Sequence, residues 1–455
     1  MEQERRGLTE ADRRLLDRLV QARARASTGQ TDADEGKARR DADFSAWLDF
    51  SNLPGYGELR LLRSAASALG LRDPYFLIHE ADAGASTVID GRRMINFSSY
   101  DYLGLNRHPE VRAAAQAAID RYGVSAGASR LVAGERPIHR ALEAALADHY
   151  GQDACLTYVS GHAANVSTIS ALLGPRDLVV HDALAHNSIV MGAQLSAADR
   201  RSFSHNDLSA LDSMLQSIRG RYERALIVAE GLYSMDGDVC DLPALVELKG
   251  RHQAWLMIDD AHGLGVLGPR GQGVFEHFGV DPRRIDIWMG TLSKTLAACG
   301  GFIAGDAALV DFLKHAAGGF VYSVGMPPPV AAAALAALGI VHREPERSAR
   351  LHERAHQFAS ACRQAELDLG TSVGEAIIPV MTGDSIRAAA LSQRLAQRNV
   401  NVQPIIAPAV PDGLARLRFF LSSEHDAEDI AGSVQAVAQE YAALSRETSL
   451  ATLRG

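Results

Sequence analysis

The residue best placed for covalent chemistry is a lysine. Lys294 lies in GTLSKTLAACGG, residues 290–301, surrounded by small and hydroxyl-bearing residues. A lysine packed in this way is partly desolvated, which lowers its pKa and frees the amine to form an imine with an aldehyde. Thr291 and Ser293 beside it offer hydroxyls to a phosphate. Earlier, WLMIDDAHGLG places Asp259 directly after an apolar run, with His262 three residues on. A carboxylate at a buried strand end needs a cationic or strongly donating partner, and a protonated pyridinium nitrogen would serve. A helix cap or a metal ligand is the plainer role for such an aspartate. No further His, Cys or carboxylate residues stand at metal-site spacing, so no metal is expected.

Other candidates also follow apolar runs. Ser160-Gly161-His162 comes after Cys155 to Val159 and opens a helical stretch, turning backbone amides and a helix N-terminus toward an anion. Alone, a glycine at that point is ordinary turn chemistry. His186 follows Leu178 to Val180 in DALAHNS, and Glu230 and Ser234 follow Leu226 to Ala229 in EGLYSMDGD. In isolation His186 reads as a hydrogen-bonded structural histidine. The set gains meaning because ligands of open α/β sheets bind beyond the carboxyl ends of the strands.

The elements that must position these residues are legible as a repeating pattern of apolar run, small-residue loop and helical stretch from about 97 to 320, the pattern of a mainly parallel sheet with crossover helices. Strands are expected at Cys155 to Val159, Leu178 to Val180, Leu226 to Ala229, Trp255 to Ile258, Ile285 to Met289 and Gly301 to Ala304. A Pro-rich turn at Pro327 to Pro329 leads into a long Ala-rich helix, followed by strands near Ile377 to Val380 and Leu417 to Leu421. The expected division is 1–43, 44–96, 97–326 and 327–455. The first segment carries an amphipathic helix over 8–26, marked by Leu8, Leu15, Leu16, Leu19 and Val20, and a linker over 27–43 with almost no apolar side chains. The second is an arm holding a hairpin, with Ser86 to Asp90 turning at Gly91 into MINF; the third is the large α/β domain and the fourth a smaller one.

Composition narrows the partners. Apolar residues at 47% and charged residues at 22% describe an ordinary globular chain, and a net charge of -9 without a basic stripe gives nucleic acid no support. The longest uncharged apolar stretch, Val330 to Val341, is too short for a bilayer span and reads as a buried helix. Cys155, Cys240, Cys299 and Cys362 lack paired spacing and read as thiols of a reducing cytoplasm, and the charged N-terminus lacks the apolar core of a signal peptide.

SSYDYLGLNRHP, GASRLVAGERPIHRALE, SGHAAN, DALAHNS, EGLYSMDGD, MIDDAHGLGVLG, GTLSKTLAACGGF, YSVGMPPP and ARLRFFLSSEHDAEDI, spread over about residues 75 to 440, resemble the α-oxoamine synthases. These are fold type I pyridoxal-phosphate (PLP) enzymes that condense an amino acid with an acyl thioester, and the GTLSKTLAACGG and YSVGMPPP forms are most similar to members attached to polyketide-type assembly lines. The resemblance implies an aspartate aminotransferase-like α/β fold, with a large, mainly parallel seven-stranded sheet domain and a smaller C-terminal α+β domain. It implies that Lys294 carries PLP and moves protons, that Asp259 pairs with the pyridine nitrogen, and that His186 stacks on the ring. His262 and Ser234 fall near the phenolic oxygen. Ser160, Gly161, His162, Thr291 and Ser293 fall at the phosphate, and Glu230 joins the cofactor set. Arg418 matches the position that binds the amino-acid carboxylate, and Tyr322-Ser323 is implied to reach the cofactor of a second subunit in a homodimer with shared sites.

Departures from the pattern bear on specificity. Tyr100 stands where glycine-using and alanine-using members commonly carry Asn; with Ser293 it points to serine or another small amino acid. Val324 and Gly325 replace hydroxyl residues, and Asn187 replaces the usual Ala after the stacking histidine. The expected reaction is a decarboxylative condensation of serine, alanine or glycine with a thioester of acyl carrier protein or CoA. The alternatives are an aminotransferase and a catalytically silent module that docks a carrier protein.

Overall fold

The computed structural model describes residues 45–454, so the helix and linker expected over 1–43 lie outside the described residues. Contacts divide the chain into two compact units, with the boundary between Leu77 and Ile78. In the described part of the first unit, Pro54 opens the helix Pro54–Ala68; its fixed φ and missing N–H suit the first helical turn.

The second unit begins with the hairpin β1 (Ser86–Ile89) and β2 (Arg92–Asn96), turning at Asp90-Gly91 as expected. The large sheet comprises β3 (Ala154–Tyr158), β4 (Leu178–Asp182), β5 (Asp199–Phe203), β6 (Ala225–Glu230), β7 (Trp255–Asp259), β8 (Ile287–Thr291) and β9 (Gly301–Gly305). Their order is β3-β9-β8-β7-β6-β4-β5. The five strands from β8 to β5 run parallel, and β9 runs antiparallel to both its neighbours. Six strands fall where the apolar runs place them. The seventh, β5, carries DRRSF, and only Phe203 of it is buried; an edge strand has little core face to fill, so no apolar run marks it.

The chain then enters the Ala-rich helix Pro328–Arg343, most of whose apolar residues are buried. β10 (Ile377–Gly383), β11 (Val400–Asn401), β12 (Pro404–Ile405) and β13 (Ala415–Phe420) complete the strands. β13 lies between β10 and β12 in a small antiparallel sheet, while β11 pairs in parallel with β2. The hairpin therefore shares a sheet with the C-terminal part, and the 44–96 segment is not one body: its first part belongs to the first unit and its hairpin to the second. Among the described residues, no helix is long and apolar enough to cross a membrane.

Candidate active site

Three parallel strands end on polar side chains: β6 on Glu230, β7 on Asp259 and β8 on Thr291, each buried. Glu230 and Asp259 are register partners on neighbouring strands, which places two carboxyl groups side by side at the sheet's carboxyl edge. Burial first, and then the charge of Asp259, pushes the Glu230 carboxyl up to about 8. Its Oε1 accepts a hydrogen bond from the amide of His186 at 2.6 Å, which fixes the loop after β4 over the same edge.

Asp259 receives two neutral donors. Asn165 Nδ2 donates to Oδ2 at 2.8 Å and the Ala261 amide to Oδ1 at 3.1 Å. Among the described residues no cation forms an ion pair with it, so the carboxylate retains acceptor capacity for a charged donor. Asn165 also bonds Ser188 Oγ at 2.9 Å, while its own Oδ1 is buried without a partner among the described residues.

Lys294 hangs in the loop between β8 and β9, which is tied back on itself. Thr291 Oγ1 donates to Gly300 O at 2.9 Å, the Ser293 amide to Thr291 Oγ1 at 3.2 Å, and Thr295 Oγ1 to Leu264 O at 2.7 Å. The amine makes no hydrogen bond or ion pair among the described residues; it lies 5.9 Å from the centre of the Tyr100 ring. Desolvation lowers its pKa to about 8, against the opposing pull of Asp259 and Glu230.

Ser160 caps the helix Gly161–Leu172, its Oγ accepting from the Ala163 amide at 3.0 Å. Among the described residues the Gly161 and His162 amides have no acceptor, which is the usual state of a helix's first N–H groups and a ready site for an anion. Gly301 passes directly beneath: a Cβ there would fall 2.5 Å from the Gly161 Cα. On the far wall, Arg418 Nη1 donates to Ser234 O at 2.8 Å and the guanidinium lies over Phe420 at 4.7 Å, while its Nε is buried without a partner among the described residues.

These groups line one cavity of about 350 Å³, and every candidate from the sequence except Tyr322 and Ser323 is on its wall: Tyr100, Ser160, Gly161, His162, His186, Glu230, Ser234, Asp259, His262, Thr291, Ser293, Lys294 and Arg418. Ser323 lies outside it, in a segment where Tyr322 is 90% exposed, and donates to Val324 O at 3.2 Å. Sequence reasoning missed Asn165, Ser188, Met235, Ala261 and Met289 on the same wall. Asn165 was detectable, since it lies one helical turn after Gly161 and so on the same face. A larger cleft, about 660 Å³ around Trp255 and Phe312, holds neither lysine nor histidine.

The donor set fits PLP. An amine, an acidic group with spare acceptor capacity, and unpaired amides beside two hydroxyls answer its aldehyde, ring nitrogen and phosphate. The fold and site define a PLP-dependent transferase of fold type I, and the family model described as aminotransferase class I and II matches residues 92–437. The 8-amino-7-oxononanoate synthase of Methylococcus capsulatus is 41% identical over 377 residues, covering 82% of this chain and 97% of that protein. That of Anaeromyxobacter sp. (strain K) is 44% identical over 379 residues, covering 82% and 93%. The Sphingomonas wittichii serine palmitoyltransferase structure superposes with a TM-score of 0.82 at 31% identity, covering 87% of this chain and 98% of that one. The chain belongs to the α-oxoamine synthase family of PLP-dependent acyltransferases.

Proposed function

We propose that the protein condenses a small L-amino acid, serine, alanine or glycine, with an acyl thioester, releasing carbon dioxide and a thiol and leaving an α-amino ketone. The observation that carries the substrate half of this reading is Arg418. A guanidinium on the cavity wall, held at one nitrogen by Ser234 O and in no ion pair among the described residues, is a cation waiting for an acceptor, and an amino-acid carboxylate is one. Bound in the same cavity, PLP supplies an aldehyde for imine chemistry and a ring that withdraws electrons from the amino acid's Cα.

The chain's own groups do the rest. Asp259, steadied by Asn165 and the Ala261 amide, holds a proton on the ring nitrogen. Lys294, with its pKa drawn down to about 8, has a neutral amine fraction of about one tenth at pH 7 and takes a proton from Cα and returns it. The Gly161 and His162 amides with Thr291 and Ser293 grip the phosphate. His186 covers the ring; its Nδ1 accepts from the Ser188 amide at 3.3 Å and pairs with Ser188 Oγ at 2.7 Å, which holds the imidazole in place. Tyr100, beside Lys294 and half open to solvent, borders the amino-acid side chain and favours a small one.

The site residues work within a homodimer in the cytoplasm on this reading, with Tyr322-Ser323 reaching the other subunit's cofactor. Supporting this, Leu131, Val132, Tyr322 and Val324 form an exposed apolar strip, drawn together by Ser129 Oγ donating to Val321 O at 2.8 Å and the Gly325 amide to Ala128 O at 2.9 Å. An acyl carrier protein is the proposed thioester donor, with residues 97–326 forming the cofactor domain and 327–455 the small domain. The deciding experiment supplies single amino acids to the PLP-loaded protein, then an acyl thioester, and quantifies carbon dioxide and free thiol. Release of both only with thioester supports the condensation. Conversion of the cofactor to pyridoxamine phosphate by amino acid alone would make it an aminotransferase instead.

A further inference from the structure

Behind the cavity wall, the Tyr102 hydroxyl lies 2.7 Å from His262 Nδ1. Tyr102 is fully buried, and His262 Nδ1 is its hydroxyl's only hydrogen-bond partner among the described residues. A buried hydroxyl hydrogen left unmet is costly, so the phenol must spend its proton on Nδ1. The reverse arrangement, with Nδ1–H donating to the phenol oxygen, would strand that hydrogen in the core. Among the described residues His262 Nε2 has no hydrogen-bond partner, and His262 lines the cavity.

We propose that Tyr102 is a positioning residue that holds His262 as the neutral tautomer protonated on Nε2, so that an uncharged hydrogen-bond donor faces the reacting groups. The surroundings agree. Burial first, then the charges of Lys294, Arg418 and His186, hold the imidazole well below its usual pKa, so it stays neutral. Burial raises the Tyr102 phenol well above its usual range, so it keeps its proton. Phe420 lies parallel to the imidazole at 6.4 Å, and Tyr100 meets it edge-on at 6.0 Å, fixing the ring plane. A neutral donor suits a site that develops negative charge on a substrate or cofactor oxygen, because pH near neutrality cannot switch it off.

The inference rests on the family reading only for what Nε2 faces; the tautomer is a property of the protein and is measured without turnover. Full-length protein labelled with 15N-histidine, cofactor-loaded and cofactor-free, gives nitrogen signals of which the His262 pair is identified by its loss in His262→Gln. The expected result is a pyridine-type Nδ1 and a pyrrole-type Nε2 in both forms. A pyrrole-type Nδ1 would overturn the proposal. In Tyr102→Phe the Nδ1 signal should move to that of an unbonded pyridine nitrogen or average between tautomers. With loss of orientation of a functional imidazole, kcat should fall about ten-fold while KM for the amino acid changes by less than about two-fold. Unchanged His262 signals in that variant would equally overturn it. If Tyr102→Phe does not fold, the wild-type spectrum alone decides the tautomer.

Discussion

Replacing Arg418 by alanine should weaken amino-acid binding through one identifiable interaction. Nη1 is spent on Ser234 O, while Nη2 makes no hydrogen bond among the described residues, so a substrate carboxylate in the cavity gains at least one charge-assisted hydrogen bond there. Such bonds contribute roughly 1.5–3 kcal/mol, and a value of about 2 kcal/mol corresponds to a roughly 30-fold rise in Kd. The raw substitution overstates this, because it also orphans Ser234 O and removes the cation lying over Phe420. A double-mutant cycle removes the excess: Kd is measured by visible absorbance of the PLP-loaded protein for serine and for ethanolamine, which lacks the carboxylate, in wild type and variant. Serine binding should weaken about 30-fold more than ethanolamine binding. Arg418→Lys should recover only part of the loss, since a point charge cannot keep the Ser234 contact and the fork together. Equal weakening of both ligands in Arg418→Ala would refute the assignment of this arginine to the carboxylate.

Three further outcomes follow from the same geometry. Lys294→Ala should lose both the visible absorbance of lysine-bound PLP and turnover; a variant retaining both would remove Lys294 from the chemistry. Asn165→Ala takes a neutral donor from a buried carboxylate, worth roughly 1.5 kcal/mol, so PLP should be retained about ten-fold less tightly in equilibrium dialysis; an unchanged Kd would show that Asn165 does not support the cofactor. His205 is desolvated, which alone would lower its pKa, yet bonds to Asp182 at 2.8 Å and Asp238 at 2.7 Å raise it to about 10. Because that folded value exceeds the unfolded one, its stabilisation is present in full below about pH 6.5 and is lost as pH climbs through 10. Thermal denaturation should show Tm falling over that window, and His205→Gln should flatten the slope; a slope unaffected by the substitution would remove the pair of ion contacts as its cause.

Fold legibility tracked burial. β4, β6, β7 and β8 are buried at nearly every position and are flanked by helices, so each announces itself as an apolar run between turn residues. β5 escaped because three of its five residues, Arg200, Arg201 and Ser202, face solvent at the sheet's edge. The arm escaped for a different reason. The hairpin was plain from the Asp90-Gly91 turn, but its pairing with Val400-Asn401 joins residues about 300 positions apart, and a two-residue strand leaves no periodicity to read.

The candidate site divides along the same line. Residues at strand ends could be found because the strands could be found; groups that act on them from other elements could not. The helix face of Asn165 can be read from its spacing to Gly161, but its bond to Asp259, like those of Tyr102 to His262 and of Ser234 O to Arg418, is a long-range contact that no local pattern encodes. Lys294 shows what this omits. The small residues of its loop correctly predict desolvation and a lowered pKa, but the loop says nothing of the opposing carboxyl groups. Asp259 and Glu230 pull the value back up, and they do so because their two strands pair in register at the final residue of each. The amine therefore settles at about 8 by a balance between its own loop and the end of the sheet, close enough to neutrality that one lysine can both give and take a proton.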